Sequence, residues 1–264
     1  MNETLIQCAA VFCASVAAGA INSVAGGGTL ISFPTLMWVG LDSRVANMTN
    51  TMGLWPASLT GAWGFRHHKP PPGKLLLRFC LVSLAGGIVG AVLLMITPTK
   101  AFDAIVPWLI LLAAVLFVLQ ERISQRFLPP VPQPGKFPID EPERGTSAKA
   151  LTFQFVVGVY GGYFGAGIGI MMLAALGMLQ LGDIYRLNYL KNIGALLINI
   201  IAALLFGLTG EVHWPLAGIM IVGGIVGAFL MSGIARKIGP KALRAIVSLV
   251  GFTIAGVMLY KQFA

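Results

Sequence analysis

Ten apolar runs, separated by short polar stretches, divide the chain. In the first half they are Leu5–Val24, Thr29–Val39, Val45–Phe65, Leu75–Ile96 and Ala101–Leu119. In the second half they are Ala150–Phe164, Ile168–Leu181, Leu187–Leu208, Trp214–Ala235 and Lys241–Tyr260. The long runs reach the roughly 20 residues a helix needs to cross hydrocarbon. The second run of each half is short and follows a glycine cluster. Between the halves, Glu121–Lys149 carries Pro129, Pro130, Pro132, Pro134, Pro138 and Pro142 among mixed charges. Proline has no amide hydrogen and a locked φ, so this stretch reads as a stiff, solvated linker. The pattern predicts an all-α integral membrane protein. Its parts are a transmembrane repeat over 1–120, a linker over 121–149 and a second repeat over 150–264.

Two short echoes support the duplication. Gly-Gly-Ile-Val-Gly-Ala occurs at Gly86–Ala91 and again at Gly223–Ala228, and Lys100–Val106 is echoed at Lys241–Val247. Basic residues then set the orientation, because short cytoplasmic loops collect Lys and Arg. Arg66, Lys69, Lys74 and Arg78 crowd one loop, and Arg236, Lys237, Lys241 and Arg244 crowd another. With both loops and the linker in the cytoplasm, five segments per half place both termini outside. An odd number of segments inverts one repeat relative to the other. The same parity holds if the first two segments of each half form a re-entrant hairpin. Met1-Asn2-Glu3-Thr4 lacks the basic start of a signal peptide, so the first apolar run is expected to be retained.

Composition agrees with the pattern. The chain is 57% hydrophobic and 10% charged, against about 25% charged residues in soluble domains. The net charge of +9 lies in short loops, which argues for membrane insertion and against a nucleic-acid partner. Cys8, Cys13 and Cys80 lie in apolar runs without CxxC spacing and read as small buried side chains. No paired carboxylates enter the spans, no His cluster has metal spacing and no Ser-His-Asp grouping is present. An enzyme, a resident metal and a cofactor are therefore not expected. His67 and His68 read as solvated, and His213 as a weak pH-sensing candidate.

The candidate site is built on the glycine clusters. Ala20-Ile-Asn-Ser-Val-Ala-Gly-Gly-Gly-Thr-Leu-Ile31 aligns with Gly161-Gly-Tyr-Phe-Gly-Ala-Gly-Ile-Gly-Ile170, setting Gly26 against Gly165 and Gly28 against Gly167. Glycine runs break helices, and non-helical backbone survives at membrane depth only when buried or lining a wet cavity. Short helices starting after each break would point free N–H groups, carrying partial positive charge, at an anion. The other reading of these glycines is close helix packing. That is the expected role of Gly86–Gly90 and its copy.

A second polar cluster follows each short run. Asn47, Thr49, Asn50 and Thr51 enter one span, and Asn188, Lys191 and Asn192 enter its counterpart. Asn50 aligns with Lys191. A charge inside a span is a functional candidate by default, with snorkelling to the interface as its alternative. Asn47 and Asn188 serve equally as interhelical hydrogen-bonding groups, and Asp183 can pair with Arg186. The candidate substrate-binding residues are Asn22, Gly26, Gly27, Gly28, Thr29, Thr49, Asn50, Gly165, Ala166, Gly167, Lys191 and Asn192.

Ala18-Gly-Ala-Ile-Asn-Ser-Val-Ala-Gly-Gly-Gly-Thr-Leu-Ile-Ser-Phe-Pro34, followed by Ala46-Asn-Met-Thr-Asn50, resembles the TauE/SafE family of sulfite and organosulfonate exporters. The second half is similar to that family's degenerate repeat, with Gly165-Ala-Gly-Ile-Gly169. It departs by carrying Leu190-Lys191 in place of Thr49-Asn50 and by lacking a counterpart of Pro34. The resemblance implies transport of small oxidised-sulfur anions, and with the pattern of the residues it gives the expectation of a transporter of the cytoplasmic membrane, working by alternating access with the anion at the repeat interface. The alternatives are an anion channel and a carrier of another small organic anion. The expected partners are the anionic substrate and the lipid bilayer.

Overall fold

The computed structural model describes residues 2–24, 27–64, 73–127, 148–177, 184–238 and 240–263. Among them are ten α-helices and no strand: α1 (Asn2–Val24), α2 (Thr29–Trp38), α3 (Ser43–Gly64), α4 (Gly73–Ile96), α5 (Thr99–Phe127), α6 (Ala148–Tyr163), α7 (Ile168–Gly177), α8 (Ile184–Leu208), α9 (Trp214–Ile238) and α10 (Pro240–Phe263). Each follows one of the ten apolar runs. The main difference lies at the linker. α5 continues to Phe127, because no proline lies between Pro107 and Pro129. The prolines themselves lie outside the described residues.

Among the described residues, four segments are long and apolar enough to cross a membrane: Glu3–Asn22, Gly73–Ile96, Thr99–Ile123 and Leu187–Leu208. α2 and α7 have 10 residues each, about 15 Å at 1.5 Å per residue. That is half of a hydrocarbon core about 30 Å thick, so neither crosses it alone. α2 packs against α1, and Gly28 lies so close to Ala18 that a Cβ there would strike its backbone. The chain therefore doubles back at the first glycine break.

Burial is distributed as lipid solvation requires. Leu81 on α4, Phe229 on α9 and Leu249 on α10 are exposed, while Asn47, Thr49 and Asn50 on α3 are buried. α3 packs against α1, α2, α5, α8 and α9, so a comparatively polar helix is shielded by its neighbours.

Helix packing repeats between the halves. α1 lies on α9 as α6 lies on α4, and α3 on α9 as α8 on α4. α2 meets α10 as α7 meets α5, while α3 meets α8 and α5 meets α10. The duplicated hexapeptide makes the closest of these contacts. A Cβ on Gly90 would strike the carbonyl of Val159 on α6, and one on Gly227 would strike the carbonyl of Val16 on α1. Only glycine allows backbones to approach this closely.

These contacts reveal a register that the sequence alignment hides. Gly19 packs on the backbone of Gly224 as Gly162 packs on that of Gly87. From these matched points α6 ends at the next residue, Tyr163, whereas α1 continues to Val24. The first half thus carries about one extra helical turn before its break. That turn contains Asn22.

Candidate functional site

Both helix breaks open on one cavity of about 70 Å³. A single water needs roughly 10–15 Å³ on this measure, so the space admits several waters or one small ion. It is lined at the first break by Asn22, Gly27 and Thr29, and at the second break by Phe164, Gly165, Ile168 and Gly169. α3 contributes Asn50, Thr51, Leu54, Ala57 and Ser58, and α8 contributes Lys191, Asn192, Ala195 and Asn199. Among these residues Lys191 is the one charged side chain, and no acidic residue is present.

Spacing explains the α3 and α8 linings. Thr51 to Ser58 and Asn192 to Asn199 are each two helical turns, so each pair shares a face. The two faces are also counterparts. Asn50 and Lys191, Thr51 and Asn192, Leu54 and Ala195, and Ser58 and Asn199 are matched positions, separated in each case by the 141 residues between Asn47 and Asn188. Ser58 and Asn199 meet each other, with Asn199 Nδ2 donating to Ser58 Oγ at 3.5 Å. Gly207 of α8 lies beside Met52 of α3. Descending one helix thus means ascending the other, and α3 and α8 cross antiparallel. The cavity runs to both sides of the Ser58–Asn199 crossing, with Asn50 and Thr51 on one side and Lys191 and Asn192 on the other.

The first break is held by a side chain. Asn22 Oδ1 accepts hydrogen bonds from the N–H groups of Gly27 and Gly28, both at 2.8 Å. These two of the N–H groups expected to be free are therefore engaged within the protein. The extra turn of α1 brings the Asn22 carboxamide against these N–H groups, and the amide's nitrogen end is a donor. Asn50 is likewise occupied. Ser32 Oγ donates to Asn50 Oδ1, and Asn50 Nδ2 donates to Thr29 Oγ1 at 3.3 Å. Asn50 edges the cavity and latches α2 to α3.

The second break is built differently. Gly165 and Gly167 have φ of 81° and 74°, the left-handed region where a side chain is strained. Tyr160 Oη donates to the Ala166 carbonyl at 2.7 Å, and Asn47 Nδ2 donates to the Tyr163 carbonyl at 2.8 Å. Asn47 thus ties α3 of one half to the break of the other.

Seven of the twelve sequence candidates line the cavity: Asn22, Gly27, Thr29, Asn50, Gly165, Lys191 and Asn192. Gly26 lies outside the described residues. Gly28, Thr49, Ala166 and Gly167 do not line it. Thr49 is buried and accepts the His213 N–H at 3.0 Å, and Gly167 faces Ala113 and Leu116 of α5. His213 caps α9 by accepting the Leu216 N–H at Nδ1. The proposed Asp183–Arg186 pair, His67 and His68 lie outside the residues whose side chains are described. Ser58 and Asn199 were not singled out from sequence. The two-turn repeat of polar residues along α3 and α8 was the available signal.

A hydrogen-bonding cavity at paired helix breaks, inside a bundle with a lipid-type exterior, has the build of a membrane transporter. The sequence profile of the sulfite exporter TauE/SafE family matches residues 11–258. The chain belongs to that family. The TauE/SafE chain is a membrane transporter and not an enzyme. A probable membrane transporter protein, ORF9, of Sinorhizobium sp is 30% identical over 255 residues, covering 93% of this chain and 89% of its own. One from Haemophilus influenzae is 26% identical over 259 residues, covering 96% and 95%. The probable membrane transporter protein YfcA of Escherichia coli is 26% identical over 261 residues, covering 95% and 88%. No solved structure matches the chain significantly.

Proposed function

We propose that this protein is a secondary carrier in the cytoplasmic membrane that exports small oxidised-sulfur anions, sulfite or organosulfonates, through the cavity between its two halves. The observation that carries the reading is the polar part of the lining: amides, hydroxyls and one lysine, with no carboxylate among the described lining residues. Such a surface replaces the water around an anion's oxygens, and an opposed acid would repel it. Lys191 supplies the charge. Asn22, Thr29, Thr51, Ser58, Asn192 and Asn199 supply hydrogen-bonding groups, and the backbone at Gly165–Gly169 lies open to the same space.

The two halves are read as inverted repeats. The 121–149 linker is cytoplasmic and both termini are outside. The exchange of packing partners between the halves supports the inverted-repeat reading, as does the antiparallel crossing of the equivalent helices α3 and α8, while the sidedness rests on the basic loops. Alternating access then consists of one half rocking against the other about the Ser58–Asn199 crossing.

The test is a binding screen of the purified protein against sulfite, sulfate, thiosulfate, sulfonates and carboxylates. Saturable binding of a sulfite or sulfonate is expected, with a large loss in Lys191→Met. Equal affinity in that variant would remove Lys191 from the site, and preference for carboxylates would move the substrate to another organic anion. Trans-stimulation in preloaded vesicles is expected of a carrier, and its absence marks a channel.

A further inference from the structure

We infer that Lys191 is also the proton carrier of the transport cycle, so that one proton crosses with each monovalent anion, in the same direction. The inference rests on the anion-carrier reading above. It starts from the isolation of this lysine among the described residues. α3, α4, α6 and α7 pack against α8. Their described titratable groups are Arg44 on α3, Lys74, Arg78 and Cys80 on α4, and Lys149, Tyr160 and Tyr163 on α6, while α7 has none. α8 itself adds Tyr189 among the residues whose side chains are described. None of these lines the cavity. The ion pair formed among the described residues is Arg44–Glu211, at the start of α3.

A carrier must pass its site across the membrane twice per cycle, once loaded and once empty. With anion bound, the Lys191 ammonium and the monoanion sum to zero charge. Empty, the same ammonium would cross with no internal counter-ion, which low-dielectric surroundings oppose. Where a cavity carboxylate was present, it would neutralise the lysine on the empty leg, but the described lining has none. The remaining way to neutralise the site is loss of the proton. On the release side the anion leaves to water and Nζ gives its proton to water. The neutral amine then returns, takes a proton from water on the other side, and binds the next anion. Charge and protons balance with no further reactant, and each cycle moves one anion and one proton.

An arginine at this position would keep the positive charge and be unable to release it. The experiment uses full-length protein in proteoliposomes, with labelled methanesulfonate as a monoanion that stays ionised and a lumenal pH dye. Wild type is expected to acidify the lumen by one proton per anion taken up. Lys191→Arg is expected to retain methanesulfonate exchange between preloaded sides and to lose net uptake. Anion uptake by wild type without proton movement overturns the inference and leaves the carrier reading standing, as does wild-type net uptake by Lys191→Arg. Should the arginine variant lose exchange as well, the wild-type proton-to-anion ratio decides. If wild type neither binds nor exchanges the sulfonate, the sulfonate reading itself fails and proton coupling falls with it.

Discussion

At the scale of single residues, the polar groups of this membrane interior divide into those that bind protein and those that face the cavity. Asn50 and Lys191 occupy matched positions, yet Asn50 spends both ends of its amide on Ser32 and Thr29, while Lys191 lines the cavity with no ion pair among the described residues. Asn50→Leu is therefore expected to destabilise the fold by about 1–3 kcal/mol, the cost of leaving a buried partner unsatisfied, seen as a lowered thermal midpoint in detergent. Lys191→Met is expected to keep that midpoint and lose anion affinity. A midpoint unchanged by Asn50→Leu would refute the latch. The polar residue types were legible in sequence because amides and charges are rare in apolar runs. Their division of labour was not, since hydrogen-bond partners such as Asn22 with Gly27 and Gly28 depend on how the chain folds back.

Helices and their breaks carry the next level of the argument. All ten elements were readable, because a span of lipid-facing residues must be apolar for a definite length. The packing role expected of the duplicated Gly-Gly-Ile-Val-Gly-Ala agrees with its position, where Gly90 and Gly227 touch the backbones of Val159 and Val16. Gly90→Val or Gly227→Val is expected to cost at least about 1–3 kcal/mol by overpacking and to reduce the yield of folded protein. Gly218→Ala and Gly256→Ala have open space around the added methyl and are expected to be neutral or stabilising by up to about 1 kcal/mol, from helix propensity alone. Equal behaviour of the two sets would contradict the close contacts. The extra turn of α1 was invisible at this level. Aligning on the glycines matched the breaks themselves, while only backbone contacts marked where the preceding helices correspond.

At the scale of the whole molecule, an ion pair at one end of the bundle adds to the helix packing that joins the halves. Arg44 makes a two-pronged ion pair with Glu211 and donates to the carbonyls of Met95 and Thr97, joining the start of α3, the end of α4 and the turn before α9. Arg44→Ala is expected to lower the thermal midpoint, by about 1–3 kcal/mol of lost charge-assisted hydrogen bonding. Glu211→Gln is expected to add little in that background, because the two residues act as one unit. Full additivity in that double-mutant cycle would mean the pair is uncoupled. For the proposed topology, an alkaline phosphatase reporter fused after Ala264 is expected to be active, and an inactive fusion would place the C-terminus in the cytoplasm. Sequence alone determined the membrane class, the ten segments, the duplication and most of the cavity's residue types. Each of these follows from the cost of exposing polar groups to lipid, which is written locally along the chain. The tertiary structure decided which amides are already satisfied, that Ser58 and Asn199 meet where α3 and α8 cross, and that Asn22 rides on a turn the second half lacks. Those outcomes depend on which backbone reaches which side chain across the bundle, and no local pattern encodes that.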